Sequence, residues 1–254
     1  MGGLLRAEKV KMVFGDREVL SGLDLELDEA EAVAVVGANG AGKTTLIKIL
    51  IGLLEPTAGG VHLQGERLQT LSRRQIARQV AVVPQGTPPV FAYQLLEFVL
   101  MGYHARSRLF LPSKDQIDGA TRALEALNLD ELADRCVSAL SGGELQRALM
   151  ARAMVADAAL WLLDEPTASL DMHHQISLLG QVRAHVEAGG SALAVLHDLA
   201  LVHRFFDRVI VLHDGQILVE GHPDEALTSS VVSEVYGVQM QRGMVDGKVV
   251  WVVA

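Results

Sequence analysis

The segment Gly37-Ala38-Asn39-Gly40-Ala41-Gly42-Lys43-Thr44-Thr45 has the residue types needed to hold a chain of phosphates. Its glycines let the backbone curl so that successive N–H groups aim at phosphate oxygens. Lys43 supplies a cation for the outer phosphates, and the Thr44 hydroxyl a ligand for Mg2+. An ordinary Gly-rich β–α turn would share the glycines, so the flanks decide. Ala32 to Val36 is continuously apolar, as in a strand covered on both faces. Thr44 to Leu54 follows with Leu46, Ile47, Ile49 and Leu50 at helical spacing, which adds the positive end of a helix to the cradle. This context favours the phosphate loop.

Two further stretches carry chemistry. Leu160-Trp161-Leu162-Leu163-Asp164-Glu165 is an apolar strand ending in two carboxylates. Standing alone it could be a strand whose acidic end meets solvent. Beside a phosphate loop, Asp164 can hold the hydration shell of Mg2+ and Glu165 can polarise an attacking water. Leu140-Ser141-Gly142-Gly143-Glu144 reads first as a capping box, Ser141 with Glu144, opening a helix. Ser141, Gly142 and Gly143 at a helix start also make a second anion cradle. One nucleotide has no obvious use for two cradles in one chain; a second copy, each cradle meeting the phosphate held by the other, resolves this, while the stretch on its own reads better as the plain cap.

The elements that must position these residues follow from patterning. Leu23, Leu25 and Leu27 alternate with Asp24, Glu26 and Asp28, the period of a half-buried strand, and Gly59-Gly60 with Val61-His62-Leu63 suggests a return to antiparallel strand. Pro84-Gln85-Gly86-Thr87-Pro88-Pro89 is punctuated like a hinge. From about Ala92 to Ala156 the chain reads as mostly helical, with Ile117, Ala120, Leu124 and Leu127 on one face. Strand patterns resume at Leu160–Leu163 and Ser191–Leu196, and Asp214-Gly215 and Asp246-Gly247 sit between apolar runs as hairpin turns. The expectation is an α/β core with a helical insertion and a β-rich C-terminal tail.

Composition bounds the partners. The chain has 254 residues, enough for one large domain. It holds 22 Lys plus Arg against 31 Asp plus Glu, a formal charge of -9 that argues against tracking a phosphate backbone, so no nucleic acid partner is expected. A mean hydropathy of +0.27 suggests apolar surface covered by a partner, although an Ala- and Leu-rich core would also produce it. No apolar run reaches the roughly 18–20 residues of a membrane span. The segment MGGLLRAEKVK lacks a signal-peptide core, and one cysteine, Cys136, read as a small buried apolar residue, fits a reducing compartment. The chain is therefore expected in the cytosol.

Taken together, the motifs resemble those of ABC transporter ATPase subunits over nearly the whole length. Gly37–Thr44 matches the Walker A motif, Leu160–Asp164 the Walker B and Leu140–Glu144 the LSGGE signature. Gln85 matches the Q-loop, Ser169-Leu170-Asp171 the D-loop, and His197 the switch histidine, in family order. The resemblance implies a P-loop NTPase (RecA-like) α/β fold with an antiparallel β subdomain and an inserted α-helical subdomain. It divides a single domain, 1–254, into a catalytic core with β subdomain at 1–86 and 157–254 and a helical subdomain at 87–156. It implies ATP and Mg2+ as cofactors and Glu165 as catalytic base. His197 would sense the γ-phosphate. Gln85 would touch Mg2+ and the attacking water while coupling the hinge to membrane subunits. Ser141 and Gly143 would act on the ATP of the other copy. Phe14 stands where the family puts the aromatic that stacks on adenine, usually Tyr; a buried core Phe is the alternative.

A finer resemblance, carried by Phe91-Ala92-Tyr93, Leu96–Gly102, Leu170–Gln175 and Val235–Val238, is to the importer branch for iron–siderophore complexes, haem and cobalamin; molybdate importers share the Phe-Ala-Tyr stretch. It implies a head-to-tail homodimer beneath two transmembrane permease subunits, on the inner face of the cell membrane, served indirectly by a substrate-binding protein. An export ATPase and a non-transport ATPase remodelling a protein or nucleic-acid complex are the alternatives. The latter often carries coiled-coil or zinc-bearing insertions or a second ATPase unit, which this sequence lacks. Nine histidines invite a metal reading. However, His173 and His174 on a helix point about 100° apart, and no spacing resembles a structural or catalytic metal site. No transition metal ligated by the chain is expected.

Overall fold

The computed structural model describes residues 3–85, 92–106 and 111–254. Much of the hinge stretch (Gly86, Thr87, Pro88 and Pro89) and Phe91 lie outside the described residues. The chain begins with strands β1 (Leu5–Phe14) and β2 (Arg17–Leu27), joined by a tight turn at Gly15-Asp16 that sets Phe14 opposite Arg17. Leu23, Leu25 and Leu27 are buried, as their alternation requires. Strand β3 (Ala32–Val36) enters the phosphate loop, and helix α1 (Lys43–Leu50) leaves it. α1 buries Leu46, Ile47, Ile49 and Leu50 but stops short of Leu54. Gly52, at φ +68, turns the chain into a left-handed conformation, the N–H groups of Leu53 and Leu54 fold back onto the Lys48 carbonyl, and Leu53 is exposed.

Strands β4 (Ala58–Leu63) and β5 (Glu66–Arg67) complete an antiparallel sheet of order β2-β1-β4-β5. Helix α2 (Arg73–Gln79) leads into β6 (Val80–Val83). The helical region then holds α3 (Leu95–Leu100), α4 (Lys114–Glu125) and α5 (Gly142–Met154). On α4 and just beyond it, Ala120, Leu124 and Leu127 are buried, whereas Ile117 is exposed because burial begins a turn later, at Ala120. Cys136 is half-buried, its Sγ 3.0 Å from the Ser138 hydroxyl, so it is less enclosed than a core residue.

The chain returns through β7 (Leu160–Asp164), α6 (Met172–Glu187), β8 (Ser191–Val195), α7 (Leu199–Phe205), β9 (Arg208–His213) and β10 (Gln216–Gly221). Short helices α8 (Pro223–Ala226) and α9 (Ser229–Tyr236) precede the hairpin β11 (Met240–Val245) and β12 (Lys248–Val253). Both Asp-Gly turns have positive φ at both residues, the hairpin geometry expected of them.

The central sheet has the order β10-β9-β3-β8-β7-β6, with β9, β3, β8, β7 and β6 parallel. Alternate side chains of β3 serve two cores. Val33 and Val35 pack with α1 and the antiparallel sheet, while Ala32, Ala34 and Val36 pack with α3 through α7. Burial on both faces explains why the strand is apolar without alternation. It also fixes the carboxyl edge of the parallel strands, the place where open α/β sheets bind ligands.

Candidate functional site

Four segments converge on that edge. β3 ends in the phosphate loop, β6 runs out to Gln85, β7 delivers Asp164 and Glu165, and β8 leads to His197. In the loop, Gly37, Gly40 and Gly42 have φ of 154°, 83° and 103°. Two of them are also forced by space. A Cβ on Gly37 would lie 2.1 Å from the Leu212 carbonyl oxygen, and one on Gly42 would lie 2.7 Å from a Leu20 methyl group. No other residue fits either position.

Lys43 Nζ donates to the carbonyls of Gly37 at 2.7 Å and Ala38 at 3.0 Å, which ties the ammonium to the loop. Burial lowers its pKa, opposed by the charges of Glu165 and Asp164. The Thr44 hydroxyl donates to Asp164 Oδ1 at 3.3 Å. Asp164 is 4% exposed; burial raises its pKa, while the Thr44 hydrogen bond opposes that shift. A buried carboxylate beside a hydroxyl, on an edge already carrying Lys43, is a pair of hard oxygen donors of the kind Mg2+ takes.

Glu165 is held from both sides. Gln85 Nε2 donates to its Oε2 at 2.8 Å, and His197 Nε2 lies 2.9 Å from its Oε1. Its backbone is left-handed, φ 51°, a conformation costing a non-glycine residue about 1–3 kcal/mol that persists where the surroundings over-determine it. That turn aims the carboxylate back toward the loop, and Glu165 lines a cleft of about 330 Å³ with Lys43, Thr44, Thr45, Asn39, Gly40 and Gly42. Phe14 and Arg17 close the other side of this cleft. Phe14 is 47% exposed, which removes the alternative of a core phenylalanine. Arg17 was not foreseen; the signal available was its place across the two-residue turn from Phe14. Ala38 and Ala41 complete the loop, and Ala41 is buried.

Near the Gly37 backbone, the Tyr236 hydroxyl is buried without a partner in hydrogen-bonding geometry among the described residues. Burial raises its pKa, and its approach to the Gly37 backbone opposes that shift.

The second cradle is separate. Ser141 caps α5, its hydroxyl accepting the Glu144 N–H at 3.3 Å while Glu144 Oε2 accepts the Ser141 N–H at 2.7 Å. Hydrogen bonds to its carboxylate, first from the Ser141 N–H and then from the Ser141 side chain, lower the Glu144 pKa. Ser141, Gly142, Gly143, Glu144 and Arg147 line a cleft of about 510 Å³ with Ser169, Leu170, Asp171 and His174. Among the described residues it shares no lining residue with the cleft at Lys43. A Cβ on Gly143 would come 2.9 Å from the Ser169 carbonyl oxygen, so the segment after Glu165 packs directly on the cradle. The rings of His173 and His174 meet edge to face, centroids 5.3 Å apart, instead of diverging.

Comparison with known proteins agrees with this architecture. The ABC transporter family model matches residues 20–168, which include the phosphate loop, Gln85, Ser141–Glu144 and Glu165. The hemin import ATP-binding protein HmuV of Rhodopseudomonas palustris (strain BisB18) is 38% identical over 248 residues, covering 94% of this chain and 90% of that protein. The ferric enterobactin transport ATP-binding protein FepC of Escherichia coli (strain K12) is 34% identical, covering 92% and 88%. A solved structure described as a metal-chelate type ABC transporter in an inward-facing conformation superposes with a TM-score of 0.82 at 27% identity, covering 99% of this chain and 97% of that one. The chain therefore belongs to the ABC transporter family, as an ATP-binding subunit that hydrolyses ATP.

Proposed function

We propose that this chain powers the import of an iron chelate, haem or an iron–siderophore complex, by hydrolysing ATP between two copies of itself beneath a pair of membrane permease subunits. The observation that carries the hydrolytic part is the grip of Gln85 and His197 on Glu165 beside Lys43 and Asp164. The N–H groups of the loop from Gly37 to Thr45 and the Lys43 ammonium take the phosphates, and Phe14 stacks on adenine. Glu165 accepts the proton of the attacking water, with its carboxylate aimed by His197 and Gln85. When bound, Mg2+ neutralises charge on the outer phosphates, and Thr44, Asp164 and the Gln85 amide oxygen are the groups that would hold it. The remaining charge falls to Ser141, Gly142 and Gly143 of the other copy, since these residues line a cleft of their own.

Gln85 links this chemistry to transport, because it stands just past β6 and just before the segment 87–156, which we take to swing as a unit. Among the described residues no helix is long and apolar enough to cross a membrane, so the passage itself falls to partners. The chain accordingly sits on the inner face of the membrane, and a separate binding protein selects the cargo. Import of iron chelates rests on the names borne by relatives that cover nearly the whole chain.

The test is uptake of labelled haem, ferric siderophore, cobalamin and molybdate in a strain lacking the gene, restored by the wild-type chain or by Glu165→Gln. Loss of haem or siderophore uptake, restored only by the wild type, is expected. Loss confined to cobalamin or molybdate would reassign the cargo, and unaffected import of all four would favour export or remodelling. At the cleft, Phe14→Ala is expected to weaken ATP binding by roughly 1–3 kcal/mol, about five- to 150-fold, without loss of fold. Calorimetric titration with ATP reads this directly; an unchanged Kd would put the adenine elsewhere.

A further inference from the structure

The start of α6 brings together three side chains that nothing in ATP hydrolysis requires as a group. One ligand atom from each of Asp171, His173 and His174 falls within 4.8 Å of the others. The helical-wheel expectation that His173 and His174 diverge leaves out Asp171, which stands one position before the helix as its cap. Asp171 Oδ1 accepts the His174 N–H at 2.9 Å and lies 2.8 Å from His174 Nδ1. This bond fixes the His174 ring, and the His173 ring meets it edge to face, so both rings stand on the side of the carboxylate. All three residues are accessible, with His174 the most covered.

We propose that Asp171, His173 and His174 form a binding site for a divalent transition-metal cation, of the zinc, nickel or cobalt class, at the rim of the Ser141–Gly143 cradle. Two imidazoles and one carboxylate are a three-ligand set of intermediate softness, which Zn2+, Ni2+ and Co2+ accept and which gives Mg2+ no reason to leave its water. The cation takes the place of the hydrogen bond between Asp171 and His174, whose ring then carries its proton on Nε2, and recruits His173, at a cleft that Asp171 and His174 line. The positive end of α6 and the nearby Arg147 oppose a cation, whereas the Asp171 charge and the Glu144 carboxylate across the cleft favour one. The metal–imidazole bonds decide the balance.

The place gives the site a consequence, which rests on the reading of the cradle as half of a shared nucleotide site. Ser169 and Leu170, just before Asp171, pack on Gly143. A cation that locks Asp171 to His173 and His174 would hold this segment in one arrangement and add positive charge where the other copy must close, so hydrolysis should respond to it.

The experiment titrates Zn2+ into the full chain, stripped of metal and without nucleotide, and follows heat; Co2+ titration follows visible absorbance. One tight cation per chain is expected, weakened at least tenfold in His173→Ala and unchanged in His222→Ala, a control at an exposed histidine elsewhere. Equal binding by the wild type and His173→Ala would overturn the site, as would Co2+ spectra without nitrogen ligation. ATP turnover at saturating Mg2+ then tests the consequence, each chain compared with its own metal-free rate. Zn2+ should inhibit the wild type at concentrations that leave His173→Ala unaffected. Inhibition equal in both overturns the link to the cradle, even where the binding result stands.

Discussion

Glu165→Gln should lower steady ATP turnover by about 10²–10⁴-fold, the usual contribution of a positioned acid or base. The substitution isolates the chemistry because the geometry tolerates it. The glutamine oxygen can still accept from Gln85 Nε2, now 2.8 Å from Glu165 Oε2, and its amide can still face His197 Nε2, now 2.9 Å from Oε1. The left-handed backbone at φ 51° is equally costly for either residue. What is lost is the ability to take a proton from water. ATP affinity should therefore hold, since the phosphates are met by Lys43 and the loop. A chain that binds ATP without hydrolysing it should accumulate as a dimer. Phosphate release measures turnover, calorimetry measures ATP binding, and gel filtration with Mg2+–ATP measures the dimer. Turnover within tenfold of wild type would remove Glu165 from the role of base, and a parallel loss of binding would show that it serves the loop instead.

The grip on Glu165 shows where sequence patterning stops. The phosphate loop is legible because it is local: its glycines, lysine and threonine act within a few residues, between a strand and a helix that announce themselves by hydrophobic spacing. The Ser141–Glu144 cap is legible for the same reason. That Gln85, Glu165 and His197 share one carboxylate is not local, because the three stand on loops after β6, β7 and β8, adjacent only through the order of a parallel sheet. Only the family resemblance placed them at one site. Arg17 escaped notice because a lone arginine after a turn carries no pattern; pairing across from Phe14 gives it meaning. The end of α1 was misplaced because leucines at 53 and 54 continue the apolar run, while Gly52 breaks the helix by its backbone. The rings of His173 and His174 meet edge to face because they stand at the helix start, where the cap Asp171 holds one of them, which spacing along a helix interior does not express.

The separation of the two clefts leads to the second large effect. Ser141→Arg removes the cap of α5 and drives a long cation into the cleft at Gly142 and Gly143; Lys43→Ala removes the ammonium tied to Gly37 and Ala38. Each chain alone should be nearly inactive, because every site made from two identical copies contains the lesion. Mixed in equal amounts, they should recover about a quarter of wild-type turnover, since half the dimers are then mixed and a two-fold pair of composite sites leaves one intact in each. The recovery follows from geometry. The Ser141→Arg chain still has a working Lys43, and the Lys43→Ala chain still has a working Ser141. If a single chain held one nucleotide with both cradles, no mixture could restore what each partner lacks. Phosphate release from the mixture, against the sum of the separate chains, therefore decides whether Ser141 acts on its own ATP or on that of its partner.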